Sequence, residues 1–171
     1  RNSILKRVGS YSFAFLALFS MFALNCSAQN VNKVKVKILA TKSDTQCKIE
    51  YTLKNRGSEL TELNLSTILF QDTKIVNIEA YDSSGDLAIS GSSSGGKYSS
   101  KVTLKEPISP DATYSFTVNY DVLDSVKTIK EKNILTVPLL SLPWKPIISG
   151  EPACSIDTTL PTGANLIRTS P

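Results

Sequence analysis

The chain has no histidine among its 171 residues. Histidine is the usual general base near neutral pH, so its absence removes serine and cysteine triads built on an imidazole and weakens most other proton-transfer schemes. Long apolar runs are scarce as well. The longest, Tyr11 to Leu24, is 14 residues, short of the roughly 18 to 20 that carry a helix across a bilayer. No convincing amphipathic helix follows it, although Leu123 to Lys132 is long enough for a turn or two. No internal repeat is present.

What the chain does have begins at its start. Arg1, Lys6 and Arg7 precede the apolar run, and Cys26-Ser27-Ala28 follows with small residues at alternate positions. A basic region, a short hydrophobic region and a small-x-small site make a secretory signal peptide. Residues 1–28 are therefore expected to be a helical leader cleaved after Ala28, leaving a mature terminus at Gln29 in a secreted or periplasmic location. Two alternatives stay open: a membrane anchor through residues 11–24, and lipidation at Cys26, for which Asn25 is a poor preceding residue.

The leader accounts for two apparent oddities. Removing Arg1, Lys6 and Arg7 takes the 19 basic residues to 16 against 15 acidic ones, so net charge is no argument for nucleic-acid binding. Removing Cys26 leaves Cys47 and Cys154, an even pair in a compartment that permits oxidation. A Cys47–Cys154 disulfide is the expectation, with two unpaired thiols as the alternative. Two cysteines without histidine do not make an ordinary zinc site.

From residue 31 onward the period is two. Val34, Val36 and Ile38 alternate with Lys33, Lys35 and Lys37; Phe116, Val118, Tyr120 and Val122 alternate with polar residues. Such runs put one face on a core and one in water. Further strands are expected at 47–54, 60–70, 74–81, 98–105, 133–140 and 154–160, with turn chemistry at 55–58, 82–86 and 109–112. The fold class that follows is all-β, an antiparallel immunoglobulin-like β-sandwich over residues 29–165. Residues 166–171 read as the start of a continuation, since the chain opens on Arg1 and stops at Pro171 without an obvious closing element. The lysine ladder is either a reader of anionic partners or a solvated face that discourages edge pairing.

Several motifs fail in context. Residues 91–98 fit G-x-x-x-x-G-K, but Tyr98 stands where a magnesium-binding hydroxyl is needed, and a strand follows instead of a helix. Gly91 to Gly95 fits G-x-S-x-G, yet no histidine is available to the serine. Both sit in Ser90–Gly96, read as a flexible loop. Asp82 and Asp86 flank a turn that offers calcium ligands, without EF-hand spacing. Asn64-Leu65-Ser66 is a glycosylation sequon, meaningful only where exported chains are glycosylated. In Val137–Ile148 three prolines interleave with apolar residues, a pattern for an extended edge or covering loop. Leu142, Trp144 and Ile147 are its candidate docking surface for another protein or domain.

Residues 50–63 (Glu50-Tyr51-Thr52-Leu53 through Leu63) resemble the strand-turn-strand of extracellular immunoglobulin-like modules. Residues 104–120, with their Ser109-Pro110-Asp111 turn, resemble a later segment of such modules. Both, together with Cys154–Gly163, are also similar to the N-terminal β-domain of M1-type aminopeptidases. That resemblance implies a non-catalytic leading portion of a longer protein, because the zinc-binding H-E-x-x-H helix is not in this chain. No catalytic residue, cofactor or metal ligand is assigned. The expectation is an exported, non-catalytic module for binding or spacing, with the leading β-domain of an exported M1-like peptidase as the alternative.

Overall fold

The computed structural model describes residues 13–18, 31–70, 72–129, 132–142 and 153–170. Every regular element among them is a strand: β1 (Phe13–Leu18), β2 (Val31–Ala40), β3 (Thr45–Lys54), β4 (Leu60–Ile68), β5 (Lys74–Asp82), β6 (Gly85–Ser94), β7 (Lys97–Ile108), β8 (Thr113–Leu123), β9 (Val126–Ile129), β10 (Lys132–Thr136), β11 (Ala153–Thr159) and β12 (Ala164–Ser170). The protein is all-β and sandwich-like. The expected cleavage site after Ala28, the Cys26 lipidation position, Trp144 and Ile147 lie outside the described residues.

Eight strands form one sheet in the order β11-β2-β3-β8-β5-β6-β7-β4. The sheet curls on itself through β6. Residues Gly85 to Leu87 pair with β5, while Ala88 to Ser94 pair with β7. This single strand carries the chain from a five-stranded half to a three-stranded half, and the apolar faces of both halves meet in one core. On β3 and β8, Ile49, Tyr51, Leu53, Phe116, Val118, Tyr120 and Val122 are all 2% exposed or less, which confirms the alternation read from the sequence. Leu63, Leu65 and Val102 on β4 and β7 belong to the same cluster. Tyr51 stacks on Phe116 with ring centroids 4.8 Å apart.

The segment Val137–Leu142 closes the core. Val137, Leu140 and Leu142 are buried. Tyr51 Oη donates to the Leu140 carbonyl at 2.6 Å, and Tyr120 Oη donates to the Pro138 carbonyl at 2.9 Å. On the far side Ser66 and Ser141 exchange main-chain hydrogen bonds of 2.8 and 3.0 Å. An extended strap thus ties β4 to β3 and β8 and satisfies its own buried carbonyls.

Three elements differ from the sequence reading. Phe13–Leu18, inside the run expected to be a helical leader, lies as β1, parallel to β10 and β12 in a second sheet ordered β12-β1-β10-β9. A short apolar run does not distinguish helix from buried strand by period, and parallel strands accept unbroken apolar sequence. The proposed helical turn at 123–132 is the strand β9, where Val126, Thr128 and Ile129 are β-branched. Ser90–Gly96 is not a loop: β6 runs to Ser94, and Gly95 and Gly96, at φ +56° and +75°, make a two-residue hairpin into β7. The expected boundary at residue 165 falls within β12.

Candidate functional site

The outward face of the five-stranded half holds an open groove of about 730 Å³. Its composition follows from register. Asp157 on β11 stands beside Lys37 on β2, Lys37 opposite Lys48 on β3, Lys48 opposite Asn119 on β8, and Asn119 opposite Glu79 on β5. One row across five strands therefore reads acid, base, base, amide, acid. A neighbouring row brings Lys35 to Glu50, whose carboxylate also meets Lys48 at 3.4 Å. Facing lysines repel. Here Glu50 and the Tyr81 ring, 5.8 Å from Lys48 Nζ, offset that repulsion. Hydrogen bonding to Tyr81 is the largest cause that raises the Lys48 pKa.

The far wall is shaped by a bulge on β5 between Val76 and Glu79. Asn77 sits there at φ 51°, a left-handed conformation that asparagine tolerates, and its Nδ2 donates to Asp121 Oδ2 at 2.8 Å. The Asn119 amide oxygen has no donor among the described residues. Opposite charges are closely spaced, and the face offers groups for ionic and hydrogen-bonded contacts.

The lysine ladder is thus not a positive patch. Lys33, Lys35 and Lys37 are exposed on β2 as read from the sequence, but Glu50 on β3 stands opposite Lys35 and Asp157 on β11 beside Lys37.

The disulfide expectation is corrected. Cys47 is a buried free thiol and Cys154 an exposed one. Cys154 is in register with Val34 and Cys47 with Ile38. Four residues along β2 and two strand spacings separate them by on the order of 15 Å, beyond the roughly 7 Å at which a bond forms. Burial pushes the Cys47 thiol up to about 12, which leaves it an inert core residue. The expected docking residue Leu142, at the end of the strap, is 9% exposed and belongs to the core cluster.

The Asp82 carboxylate is committed within its own turn. Oδ1 accepts from Ser84 N at 2.7 Å and Ser84 Oγ at 2.6 Å, and Oδ2 accepts from Tyr114 Oη at 2.7 Å. The Ser84 hydroxyl is the chief reason its pKa is lowered. Among the described residues no group of three or more possible ligands gathers around a metal-sized space.

No protein-family model matches the chain, and no curated protein matches it. Solved structures of M1 zinc metallopeptidases are similar to part of the chain. One, from Deinococcus radiodurans and bound to a Tyr-Ser-Ala substrate, is 14% identical over 58% of this chain, with a TM-score of 0.40. Another M1 zinc metallopeptidase structure from Deinococcus radiodurans is 14% identical over 58%, at 0.39. A two-domain M1 metallopeptidase bound to L-tryptophan is 12% identical over 59%, at 0.39. The chain spans between 21% and 23% of the length of these structures.

Proposed function

We propose that this chain is an exported, non-catalytic, immunoglobulin-like β-sandwich module that binds or spaces outside the cytoplasm. The observation that carries the proposal is the groove of the five-stranded half, an open mixed-charge surface built for contact. The reactive groups of the described residues are used for structure: Cys47 in the core, Tyr51 and Tyr120 on the strap, and Asp82 in its turn.

Export is supported by the order of basic, apolar and small residues in 1–28. No helix among the described residues is long and apolar enough to cross a membrane. Trp144 and Ile147 are the first positions to test for docking with another protein or domain.

The test has two arms. Mass spectrometry of the chain from its native host should find Gln29 as the terminus; an intact leader in the membrane fraction refutes export. The full chain incubated with zinc and a panel of aminoacyl amides should show no turnover. Turnover that a chelator abolishes refutes the non-catalytic reading.

A second reading makes this the leading non-catalytic β-domain of an exported M1-like peptidase. One observation favours it. The segments that carry the resemblance, 50–63 and 104–120, meet at Asn55, which bonds across from the β3–β4 turn to Ile108, Asp111 and Ala112. Sequencing the gene past Pro171 decides between the readings: an H-E-x-x-H codon run downstream supports the peptidase, and a stop or further β-domains support the module.

A further inference from the structure

The sequon Asn64-Leu65-Ser66 falls on β4, the last strand of the eight-stranded order. Strand alternation buries Leu63 and Leu65 at 3% and 1% exposure and turns Glu62, Asn64 and Ser66 to the other face. Asn64 is exposed, and its side-chain amide makes no hydrogen bond among the described residues. β7 lies on one side of β4; on its other edge, among the described residues, the strap is bridged to it at Ser66. Opposite Asn64 on β7 stands Lys101, which pairs with Glu62 at 3.3 Å, and the positions around it carry small hydroxyls. Ser90, Ser92, Ser99 and Lys101 surround an open hollow of about 520 Å³ that includes Asn64.

We propose that Asn64 is an acceptor for asparagine-linked glycosylation and that the first sugars lie over this serine-lined hollow. Asn64 is reachable and unbonded among the described residues, and the serines around the hollow leave room for a sugar beside it. In the transfer, Asn64 Nδ2 attacks C1 of the first sugar of a polyprenyl-diphosphate-linked oligosaccharide. The C–N bond forms as the C–O bond to the diphosphate breaks. The diphosphate leaves with the bonding pair, and one amide proton passes to a base of the transferase. No oxidant or reductant takes part. Ser99, Ser92 and Lys101 then offer donors to sugar oxygens, and the bulky polar group shields an edge strand from pairing with another chain.

The proposal rests on the export reading, and the experiment separates the two. The full chain is expressed in a glycosylating secretory host twice, once with its own leader and once behind a leader that the host is known to cleave. The secreted protein is treated with peptide N-glycosidase and mapped by mass spectrometry. The expected result is a discrete loss of mass, with aspartate replacing asparagine in the peptide that carries Asn64. Asn64→Gln and Ser66→Ala should each abolish the shift without reducing secretion. Unmodified Asn64 in chain secreted behind the foreign leader overturns the proposal. A glycan there, with no secretion from the native leader, supports the proposal and overturns export.

Discussion

Replacing Asn55 by alanine removes the side chain that joins two turns at one end of the sandwich. Asn55 is 1% exposed. Its Nδ2 donates to the Ser58 carbonyl at 2.8 Å and to the Ile108 carbonyl at 2.9 Å, and its Oδ1 accepts from Gly57 N at 3.0 Å. Its main chain also spans the turns, donating to Ala112 O at 2.9 Å and accepting from Asp111 N at 2.6 Å. Those two bonds survive in alanine. Of the three that are lost, the bonds to Ser58 and Gly57 lie at an exposed turn, where water replaces them at about 0.5 to 1 kcal/mol each. The Ile108 carbonyl is buried and is left unpaired, at about 1 to 3 kcal/mol. The expected loss is about 2 to 5 kcal/mol. With a urea slope of about 2 kcal/mol/M, the midpoint should fall by about 1 to 2.5 M. A midpoint within about 0.3 M of the parent would refute the linkage.

Asn55→Asp sharpens the test. The carboxyl keeps an acceptor for Gly57 N but sets an oxygen against the two carbonyls that Nδ2 served. Burial and those carbonyls disfavour its charged form, so its folded pKa lies above the unfolded value of about 3.9. The stability of this variant is therefore fully present below the unfolded pKa and is lost as pH rises through the folded one. It should be closest to the parent near pH 3 and fall below Asn55→Ala at pH 7. Equal stability of parent and aspartate variant at pH 7 would sink the argument.

Other predictions follow from the same contacts. Tyr120→Phe and Tyr51→Phe should each cost about 1 to 2 kcal/mol, and the pair should lose less than the sum because both hydroxyls hold one strap. Faster amide exchange at Leu140 is the direct readout, and unchanged exchange would count against the strap. Under native conditions iodoacetamide should modify Cys154 and spare Cys47 until the chain is unfolded, as peptide mapping would show; early labelling of Cys47 would contradict its burial. Gly91→Ala would set a Cβ 2.6 Å from Tyr98 Cζ, so the ring must move, at about 1 to 3 kcal/mol. Tyr98→Ala in the same chain should relieve the clash, and thermal melts of the single and double variants would show whether it does.

The half-buried strands were legible because their signal is local. The run from Phe116 to Val122 alternates strictly, and the register with β3 preserves that alternation on both sides. Where propensity and pairing disagree, the sequence misleads. β6 is rich in serine and glycine, poor strand formers. It is a strand because β5 and β7 supply partners for its main chain, and because Gly91 leaves room for the Tyr98 ring. The cysteine pair misled for a different reason. Each cysteine opens or nears the start of a strand, but pairing depends on how strands stack, and β11 joins β2 parallel with Cys154 four residues out of step with Cys47.

The groove lies at the limit of what one-dimensional reading can reach. Lys33, Lys35 and Lys37 are visible as a ladder, and alone they resemble an anion reader. Their neighbours are Lys48 and Glu50 on β3 and Asp157 on β11, and the Lys37 row continues through Asn119 on β8 to Glu79 on β5. Nothing local in the sequence tells Asp157 to lie beside Lys37, and a one-residue slip in any strand would move its whole set to the other face. Charge on a sheet face is thus a property of register. Once the register is known, the ladder loses its appeal as a polyanion site, because the Lys35 and Lys37 rows each carry a carboxylate, Glu50 in one and Asp157 and Glu79 in the other. Under the module reading we propose, a partner docked on this groove would have to present both signs as well, at the roughly 4.8 Å spacing of the strands, as a protein surface can and a nucleic-acid backbone, charged with one sign, does not.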